Sequence, residues 1–326
     1  MGYLTDELLG VLDEVPEKLS AFIRKTVLED FNKKGTVIGV SGGIDSAVSL
    51  VLAVKGLGRE RVFAMVLPEK ESSPSSRTLG LQLIHDCQVA YEEVPITPIL
   101  ECCGVYAKKQ ALISKLYPSF NPEIHKTSLF LPPDVVLKGS LSIPQLRIVE
   151  NGRTIAEKRL HAQDLLDIMS IQNTKQRTRM LLQYMVAEKT NFAVCGTTNK
   201  TEMVTGHFVK YGDGGVDLEP LADLYKTQVY GIAKRLGIDQ GIISRPPSPD
   251  TWSNYVSDMD FYWRMPYEIL DELLYAEEKG YSLPLIEKST GLSQPQIHRA
   301  VDHITHMKRT AKYLASSPTV YSLSPK

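Results

Sequence analysis

The feature that most constrains this chain is a glycine turn between a short apolar run and an apolar segment of helical length. Residues 36–40 (Thr-Val-Ile-Gly-Val) are rich in β-branched side chains and predict a buried strand. Residues 46–55 are apolar on nearly every side, as expected for a helix packed on a sheet. A strand that leads through glycines into a helix begins a parallel β-α-β unit. The chain is therefore expected to fold around a parallel sheet.

The same alternation recurs along the chain. Further strands are predicted at residues 61–67, 89–96 and 192–197. Further helices are predicted at residues 4–34, 75–87, 162–189 and 225–236 and in a tail over residues 266–316, with a possible break near residues 171–173. Parallel strands joined by helices need right-handed crossovers, and ligands gather at the carboxyl ends of such strands. The predicted fold class is a doubly wound, mostly parallel α/β sheet of the Rossmann-like kind with a helical C-terminal tail.

Residues 101–160 interrupt the alternation. Within them, two predicted strands at residues 146–150 and 153–158 flank Asn151-Gly152, the strongest short signal for a β-hairpin. We predict a partly irregular inserted subdomain, outside the ligand pocket, that carries this hairpin. Its apolar runs at residues 129–131 and 135–137 need burial, so it is expected to pack on the main domain or on a second subunit. The predicted main domain comprises residues 1–100 and 161–326.

The glycine turn itself has the chemistry of an anion site. Gly42 and Gly43 let the backbone approach a phosphate closely, and the amides at the start of a helix favour negative charge. Ser41 and Ser46 can donate hydroxyl hydrogen bonds. Asp45 suits such a loop if it holds Mg²⁺, which prefers carboxylate and phosphate oxygens. The same residue types are also common helix caps. The loop lacks the Gly-Lys-Ser/Thr ending of a Walker motif, so γ-phosphoryl transfer is not indicated.

Composition narrows the classes of function. The 37 Lys and Arg residues balance the 38 Asp and Glu residues, which gives no sign of a nucleic-acid-binding surface or a polybasic membrane anchor. No apolar run approaches the roughly 20 residues that span a bilayer. The four cysteines contain no Cys-x-x-Cys pair, so neither a disulfide framework nor a zinc site is predicted. A reduced, cytoplasmic setting is expected.

Several motifs carry a family resemblance. The turn at residues 41–46 (Ser-Gly-Gly-Ile-Asp-Ser) resembles the pyrophosphate loop of the N-type ATP pyrophosphatases, which activate a carboxylate or carbonyl oxygen with AMP and expel pyrophosphate. Further blocks are similar to the ammonia-dependent NAD synthetases within that superfamily: residues 67–69, 173–180, 196–202, 208–217 and 220–229. The resemblance covers about residues 15–100 and 165–310. It implies a fold like that of the adenine nucleotide α-hydrolases.

The resemblance also implies an activity. The carboxylate of nicotinic acid adenine dinucleotide would attack the α-phosphorus of ATP, and ammonia would then displace AMP from the acyl-adenylate. No glutaminase domain fits beside the synthetase regions, and none of the four cysteines has an evident nucleophile context, so ammonia is expected free or from a separate partner. The resemblance implies a homodimer with the dinucleotide at the interface, and ATP and Mg²⁺ as cofactors.

The site residues follow from the matching motifs. Those expected to act in catalysis are Asp45, Lys226 and Asp213. Those expected to hold Mg²⁺ are Asp45 and Glu202. Those expected to bind ATP are Ser41, Gly42, Gly43, Ser46, Thr197, Lys226 and Ser248. Those expected to bind the dinucleotide are Asn173, Arg177, Lys210, Asp213 and Asp217. Without the motifs, a lone Glu or Lys at such positions is more often an ordinary solvated side chain.

Two features depart from the family pattern. The insertion at residues 101–160 is long, and residues 260–265 (Asp-Phe-Tyr-Trp-Arg-Met) replace an acidic residue followed by Leu-Gly. These departures leave open an alternative, another N-type ATP pyrophosphatase that amidates or thiolates a different carboxylate or carbonyl substrate. A catalytically inactive binding module is a further alternative, against which the presence of Asp45, Glu202 and Lys226 argues.

Overall fold

The computed structural model describes residues 2–131, 143–321 and 323. In chain order, its strands are β1 (Thr36–Gly39), β2 (Val62–Val66), β3 (Ala90–Glu93), β4 (His125–Phe130), β5 (Gln145–Glu150), β6 (Arg153–Arg159) and β7 (Ala193–Cys195). Its N-terminal helices are α1 (Tyr3–Gly10), α2 (Val15–Lys25), α3 (Ile44–Leu57), α4 (Pro74–Asp86), α5 (Thr97–Cys102) and α6 (Val105–Leu116). The later helices are α7 (Ala162–Thr190), α8 (Lys200–Thr205), α9 (Lys226–Arg235), α10 (Gln240–Ile243), α11 (Tyr267–Lys279), α12 (Leu283–Thr290) and α13 (Gln294–Leu314).

The main sheet has the order β3-β2-β1-β7, and every neighbouring pair is parallel. Successive residues of β1 face opposite sides. Val37 packs in the cluster that includes α7, whereas Ile38 packs in the larger cluster that includes α2, α3 and α9. Both faces of the sheet are therefore covered by helices, which explains why its strands read as apolar runs rather than as alternating patterns. The predicted doubly wound α/β fold is confirmed.

The connection from β1 to α3 needs its first glycine. Gly42 has φ +77°, and a Cβ there would lie 2.1 Å from the carbonyl oxygen of Ser76 in α4. Gly43 has φ −89° and forms the N-cap of α3 without a side-chain cap. The turn therefore packs tightly on α4, and the first-turn backbone amides of α3 have no capping side chain.

A second, antiparallel sheet has the order β4-β5-β6. The predicted hairpin is confirmed, and its turn residues Asn151 and Gly152 both have positive φ, as a type I′ hairpin turn requires. The run at residues 129–131 is buried, as expected, whereas the run at residues 135–137 lies outside the described residues. The sheet shares a hydrophobic cluster with α6, the start of α7 and residues 252–261. The division into a main domain and an insertion at residues 101–160 stays a prediction.

Some local expectations were wrong. Helix α7 is continuous over 29 residues, without a break near residues 171–173. Two polar residues just after this point are accommodated in the helix, since the Thr174 hydroxyl donates to the carbonyl of Ser170 and the Lys175 ammonium is buried against Glu69. The start of the insertion is also more regular than expected, because it contains α5, α6 and β4. The N-terminal helical segment is divided between α1 and α2.

The C-terminal helices α11, α12 and α13 form a separate apolar layer with α1. Within the described ranges, no helix combines the length and the hydropathy that a membrane crossing requires.

Candidate active site

Two adjoining cavities lie at the carboxyl ends of the parallel strands. The strand-end cavity, of about 210 Å³, is lined by the ends of β1, β2 and β7. The wide cavity, of about 430 Å³, extends from the glycine turn to α7, α8, α9 and residues 246–251. Because β1 and β7 are neighbours in the sheet, the turns that follow them meet at this edge.

Most of the predicted site residues line these cavities. Those that line both are Ser41, Thr197 and Asp213. Those that line the wide cavity alone are Gly43, Asp45, Ser46, Asn173, Arg177, Glu202, Lys210, Lys226 and Ser248. The remaining two, Gly42 and Asp217, line neither cavity. The fold therefore brings together residues from six separate stretches of the chain: 41–46, 173–177, 197–202, 210–213, 226 and 248.

The two serines of the glycine turn shape the loop. The Ser46 hydroxyl donates to the carbonyl of Gly43 at 2.9 Å, and it accepts from the backbone amide of Ser41 at 3.3 Å. The Ser41 hydroxyl accepts from the backbone amide of Gly43 at 3.2 Å. These bonds fix the turn around the start of α3, where uncapped amides and the helix dipole favour an anion.

Three charged side chains converge beside this loop. The Lys226 ammonium donates a short hydrogen bond to Oδ2 of Asp45 and lies 3.4 Å from Oε1 of Glu202. Lys226 is 2% exposed, and its backbone amide donates to the hydroxyl of Thr201 at 2.9 Å. The ammonium is therefore fixed between two carboxylates that come from different elements.

Asn199 connects the two carboxylates. Its side-chain amide donates to Oδ1 of Asp45 at 2.9 Å, and its side-chain oxygen accepts from the backbone amide of Glu202 at 3.1 Å. The Glu202 carboxylate returns to accept from the backbone amide of Asn199 at 3.3 Å, which completes a capping box at the start of α8. The cap fixes Glu202 relative to Asp45.

The charges at this point are mutually dependent. Burial disfavours the charge on Lys226, but Asp45, Glu202 and Asp258 outweigh it and raise the pKa of the ammonium well above its usual value. Burial raises the pKa of Glu202, against the opposing effect of Lys226. Lys226 therefore remains a cation at neutral pH, and a cation or a metal ion that approaches Glu202 would favour its ionised form.

The donor set suits a hard divalent cation. Among the described residues, no three His, Cys, Asp or Glu side chains form a complete metal site. Asp45 and Glu202 nevertheless face one shared point, because both contact the same ammonium. Mg²⁺ is commonly held by one or two carboxylates together with substrate phosphates and water. The residues present fit that arrangement.

The other end of the wide cavity holds Asp213, Arg177 and Lys210. Asp213 accepts from the backbone amide of Val209 at 2.6 Å, and burial raises the pKa of its carboxyl group. The guanidinium of Arg177 donates to the backbone carbonyl of Lys210 at 3.3 Å. The Lys210 ammonium donates to the carbonyls of Tyr313 and Ser316, at 3.0 and 2.8 Å, at the end of α13.

Asp217 has a structural position. Its carboxylate accepts from the hydroxyl of Tyr184 at 2.9 Å and from the backbone amide of Val194 at 2.8 Å. These contacts satisfy the backbone of β7 at the edge of the sheet. The exposed carboxylate of Asp217 is thus hydrogen-bonded to the sheet, and its role in binding the dinucleotide stays a prediction.

Residues 260–265, which depart from the family pattern, form the wall around His207. The His207 ring lies 4.8 Å from Tyr262 and 4.5 Å from Trp263, measured between ring centroids. Its Nε2 is 3.6 Å from Oδ1 of Asp258. Burial opposes the charge on His207, but the contact with Asp258 outweighs it and raises the pKa of the imidazole. The altered segment thus packs an aromatic wall against the wide cavity.

Comparison with known proteins agrees with this geometry. A family model described as NAD synthase matches residues 15–117 and 136–315. The chain belongs to the NAD synthase family. This membership confirms the resemblance inferred from the glycine turn and the blocks in the second half of the chain.

Individual relatives extend over most of the chain. The NH(3)-dependent NAD(+) synthetase of Mesorhizobium japonicum is 35% identical over 298 residues, which cover 91% of this chain and 92% of that protein. The protein of the same name from Thermotoga maritima is 38% identical over 268 residues, which cover 82% of this chain and 88% of the relative.

Solved structures share the fold. The NMN synthetase of Francisella tularensis is similar with a TM-score of 0.66, at 22% identity and with 95% of this chain and 98% of that chain covered. The NH3-dependent NAD synthetase of Campylobacter jejuni has a TM-score of 0.62, at 22% identity over 95% of this chain and 99% of that chain. These similarities support the fold class of the NAD synthase family.

Two residues of the site, Asn199 and Arg179, have no role that the motifs predict. Asn199 was part of a matching block but received no role, although an Asn before a helix with Glu three residues later is a capping signal. Arg179 was also missed. It lines the strand-end cavity, and its guanidinium donates to the carbonyl of Leu67 at 3.1 Å and to the side chain of Gln176 at 3.0 Å. No local pattern distinguishes Arg179 from its neighbour Arg177.

Proposed function

We propose that this chain amidates nicotinic acid adenine dinucleotide to NAD, with ATP as the activating nucleotide and ammonia as the nitrogen donor. The observation that carries the proposal is the convergence of Asp45, Glu202 and Lys226 beside an uncapped helix N-terminus in the wide cavity. Membership in the NAD synthase family and the long matches to relatives named NH(3)-dependent NAD(+) synthetase support it. The enzyme is a ligase that forms a C–N bond.

The first step is transfer of the adenylyl group. A carboxylate oxygen of the dinucleotide attacks the α-phosphorus of ATP. The bond between the α-phosphorus and the oxygen that bridges the α- and β-phosphates breaks, and pyrophosphate leaves. The start of α3 and the Lys226 ammonium would bind the negative charge that develops on the leaving phosphates. Thr197 and Ser248 line the same cavity and would contact the nucleotide.

A divalent cation suits this step. Asp45 and Glu202 would hold Mg²⁺, which would neutralise the phosphates when bound. Asn199 would orient both carboxylates, through its bonds to Asp45 and to the backbone of Glu202. One ammonium, that of Lys226, lies between the carboxylates of Asp45 and Glu202. When both carboxylates are ionised the cluster has a net negative charge, which favours binding of a further cation.

The second step is attack by ammonia on the acyl carbon of the adenylate, after which AMP leaves with its bonding electron pair and a proton is lost from nitrogen. Asp213 lines both cavities and would accept a hydrogen bond from the incoming ammonium or ammonia. Asn173, Arg177 and Lys210 line the wide cavity and would contact the dinucleotide. Asp217 lines neither cavity and is hydrogen-bonded to Tyr184 and Val194, so its contact with the dinucleotide stays a prediction.

A homodimer is part of the proposal. Leu181 and Met185 are each 61% exposed and lie four and eight residues after Arg177, on the same face of α7. An exposed apolar face beside a residue of the wide cavity would be covered by the same face of a second copy. The four free thiols, two of them exposed, support a reducing compartment such as the cytoplasm.

The test is formation of NAD by the purified protein with ATP, Mg²⁺, ammonium chloride and nicotinic acid adenine dinucleotide. Product would be measured by enzymatic reduction to NADH, and pyrophosphate release would be measured in parallel with a panel of carboxylates that includes nicotinic acid mononucleotide. Ammonium is expected to support turnover. Glutamine is expected to give none when ammonia is scavenged.

Each outcome separates the candidates. NAD formation at rates that saturate with the dinucleotide supports the proposal. Pyrophosphate release with another carboxylate, and none with the dinucleotide, would assign the chain a different acceptor. NAD formation from glutamine alone would overturn the assignment of ammonia. Size-exclusion chromatography with light scattering tests the dimer, since Leu181→Asp combined with Met185→Asp is expected to yield monomers.

A further inference from the structure

One loop forms a wall of the wide cavity and also contacts the antiparallel sheet β4-β5-β6, which lies within residues 101–160 and is called the inserted sheet below. This proline-rich loop is defined here as residues 244–258. Its inner side, residues 246–251 with Asp258, lines the wide cavity. The backbone amide of Asp258 donates to the carbonyl of Pro247 at 3.1 Å, so the loop closes on itself. Its conformation therefore determines the shape of the cavity that ATP would occupy.

The outer side of the loop is hydrogen-bonded to β4. The backbone amide of Thr127 donates to the hydroxyl of Ser253 at 2.9 Å, and the backbone amide of Asn254 donates to the carbonyl of Thr127 at 3.0 Å. The side-chain amide of Asn254 donates to the hydroxyl of Ser128 at 3.0 Å. Further along, the amide of Leu131 donates to the carbonyl of Asp260 at 2.8 Å. The loop thus takes the place of a neighbouring strand along β4.

Apolar contacts reinforce this junction. Trp252 and Val256 are 4% and 5% exposed, and both belong to the hydrophobic cluster that contains Leu129 and Ile148 of the inserted sheet. Burial of these two side chains removes apolar surface from water and so stabilises the junction. The described residues 101–160 line neither the strand-end cavity nor the wide cavity. The inserted sheet therefore contacts the wall of the wide cavity through this loop, and also through Met169 and Phe261, which line that cavity and pack in the same cluster.

The main domain holds the same loop from the other side. The Lys175 ammonium of α7, with a fully buried side chain, donates to the carbonyl of Thr251 at 2.7 Å and to Glu69 and Glu71 at 2.8 and 2.6 Å. Asp250 accepts from the backbone amide of Ser73 at 3.0 Å. Lys175 and β4 thus hydrogen-bond to nearby residues of the loop, Thr251 on one side and Ser253 and Asn254 on the other.

We propose that the inserted sheet is a positioning element for the adenylyl-transfer site. It holds the proline-rich loop in its cavity-lining conformation before ATP binds, and Ser253 and Asn254 carry this contact. The proposal rests on the use of ATP under the proposed function but not on the identity of the carboxylate acceptor. The two residues position the loop; they do not line either cavity.

If the proline-rich loop is ordered before ATP binds, the affinity for ATP should depend on that order. When only a fraction of molecules has the competent loop, the apparent dissociation constant is the intrinsic constant divided by that fraction. If loss of the β4 contacts lowers the ordered fraction to about a tenth, the Kd for ATP rises about tenfold. Bound ATP restores the loop, so kcat at saturating ATP is expected to change by no more than about twofold. A residue that acted on the chemistry itself would lower kcat instead.

The experiment compares the full chain with the double variant Ser253→Ala/Asn254→Ala. Hydrogen–deuterium exchange of peptides that cover residues 248–258 is measured without nucleotide, and the Kd of MgATP is measured by calorimetry. Ser253→Thr keeps the accepting hydroxyl and is the conservative variant. Arg153→Ala, an exposed position on β6 of the same sheet, is the matched control. The double variant is expected to exchange at least about tenfold faster in this segment and to bind MgATP about tenfold more weakly. The two comparison proteins should match the original chain.

Three results would overturn the proposal. The first is rapid exchange of the loop amides in the unaltered chain without nucleotide. The second is faster exchange in the double variant with an unchanged Kd. The third is an equal loss of affinity in Arg153→Ala. If the double variant does not fold, the single variant Ser253→Ala provides the same two measurements. Failure of the unaltered chain to bind MgATP would contradict the proposed function. The loop proposal fails on different results, namely the exchange of the loop amides and the comparison of the variants with the unaltered chain.

Discussion

The side-chain amide of Asn199 donates a 2.9 Å hydrogen bond to Oδ1 of Asp45. The same side chain caps α8 by accepting from the backbone amide of Glu202. The two carboxylates proposed to hold Mg²⁺ lie in helices that follow different strands. The side-chain amide of Asn199 contacts both residues and so fixes the position of Asp45 relative to Glu202. These two contacts allow the proposed role of Asn199 in orienting the metal ligands to be tested separately from its contribution to stability.

Asn199→Ala is expected to raise the Mg²⁺ concentration for half-maximal pyrophosphate release by about 10–100-fold, the usual effect of removing a residue that orients a metal ligand. Loss of the cap is expected to lower the free energy of unfolding by about 1 kcal/mol. Asn199→Ser is the control, because serine can cap α8 but is too short to reach Asp45 in the same way. Normal Mg²⁺ dependence in the serine variant, with stability restored, would refute the orienting role.

Lys226→Ala is expected to lower kcat by about 10²–10³-fold, which corresponds to the loss of one preorganised donor to the departing pyrophosphate. The KM for ATP is expected to change much less, because the interaction strengthens in the transition state. Stopped-flow measurement of pyrophosphate release tests this. Lys234→Ala, an exposed lysine on the same helix, should be indistinguishable from the original chain. A rise in KM with kcat unchanged would place Lys226 in ground-state binding alone.

Gly42→Ala is expected to lower the free energy of unfolding by more than about 1 kcal/mol, because φ is +77° and the new Cβ would lie 2.1 Å from the carbonyl oxygen of Ser76. Gly43→Ala is the comparison. Its φ is −89°, and the nearest atom to a new Cβ would be the Ser41 hydroxyl oxygen at 3.3 Å. Urea denaturation of both variants measures the difference. Equal loss of stability in the two would show that the contact with Ser76 is not what constrains the turn.

The buried carboxyl group of Glu219 is expected to make the stability of the folded chain depend on pH. Burial raises the pKa of its carboxyl group from 4.5 to about 8 in the folded chain, and its Oε1 has no hydrogen-bond partner. The folded state therefore binds the proton more tightly than the unfolded state, and this contribution is present below pH 4.5 and is lost as the pH rises through about 8. Glu219→Gln should accordingly lose less stability than the original chain between pH 5.5 and pH 8.5.

Thermal unfolding at both pH values would measure this effect of Glu219. Glu123→Gln, at an exposed glutamate, is the control and should follow the original chain. A Glu219→Gln variant whose Tm falls with pH as steeply as that of the original chain would show that the carboxyl group is not protonated when buried.

Local patterns predicted much of the main sheet. The β-branched run before Ser41 and the apolar segment after Asp45 gave β1 and α3 within a few residues, since both elements are buried and have short-range signals. Asn151-Gly152 located the hairpin because Asn followed by Gly readily adopts the two positive φ angles of a type I′ turn. The continuity of α7 was not predictable, since Lys175 is stable in that helix only because Glu69 and Glu71 neutralise it.

The sequence by itself determined the family, the glycine turn and the identity of the charged groups. Each of these is encoded in a short run of neighbouring residues, so it can be recognised without knowing how distant parts of the chain pack. Only the tertiary structure decided that Asp45, Glu202 and Lys226 meet at one ammonium and that Asp217 is held by the scaffold. It also decided that β4 supports the proline-rich loop. These contacts join residues that are 24 to 181 positions apart and lie in different elements, so they depend on strand order and helix packing, which no local pattern encodes.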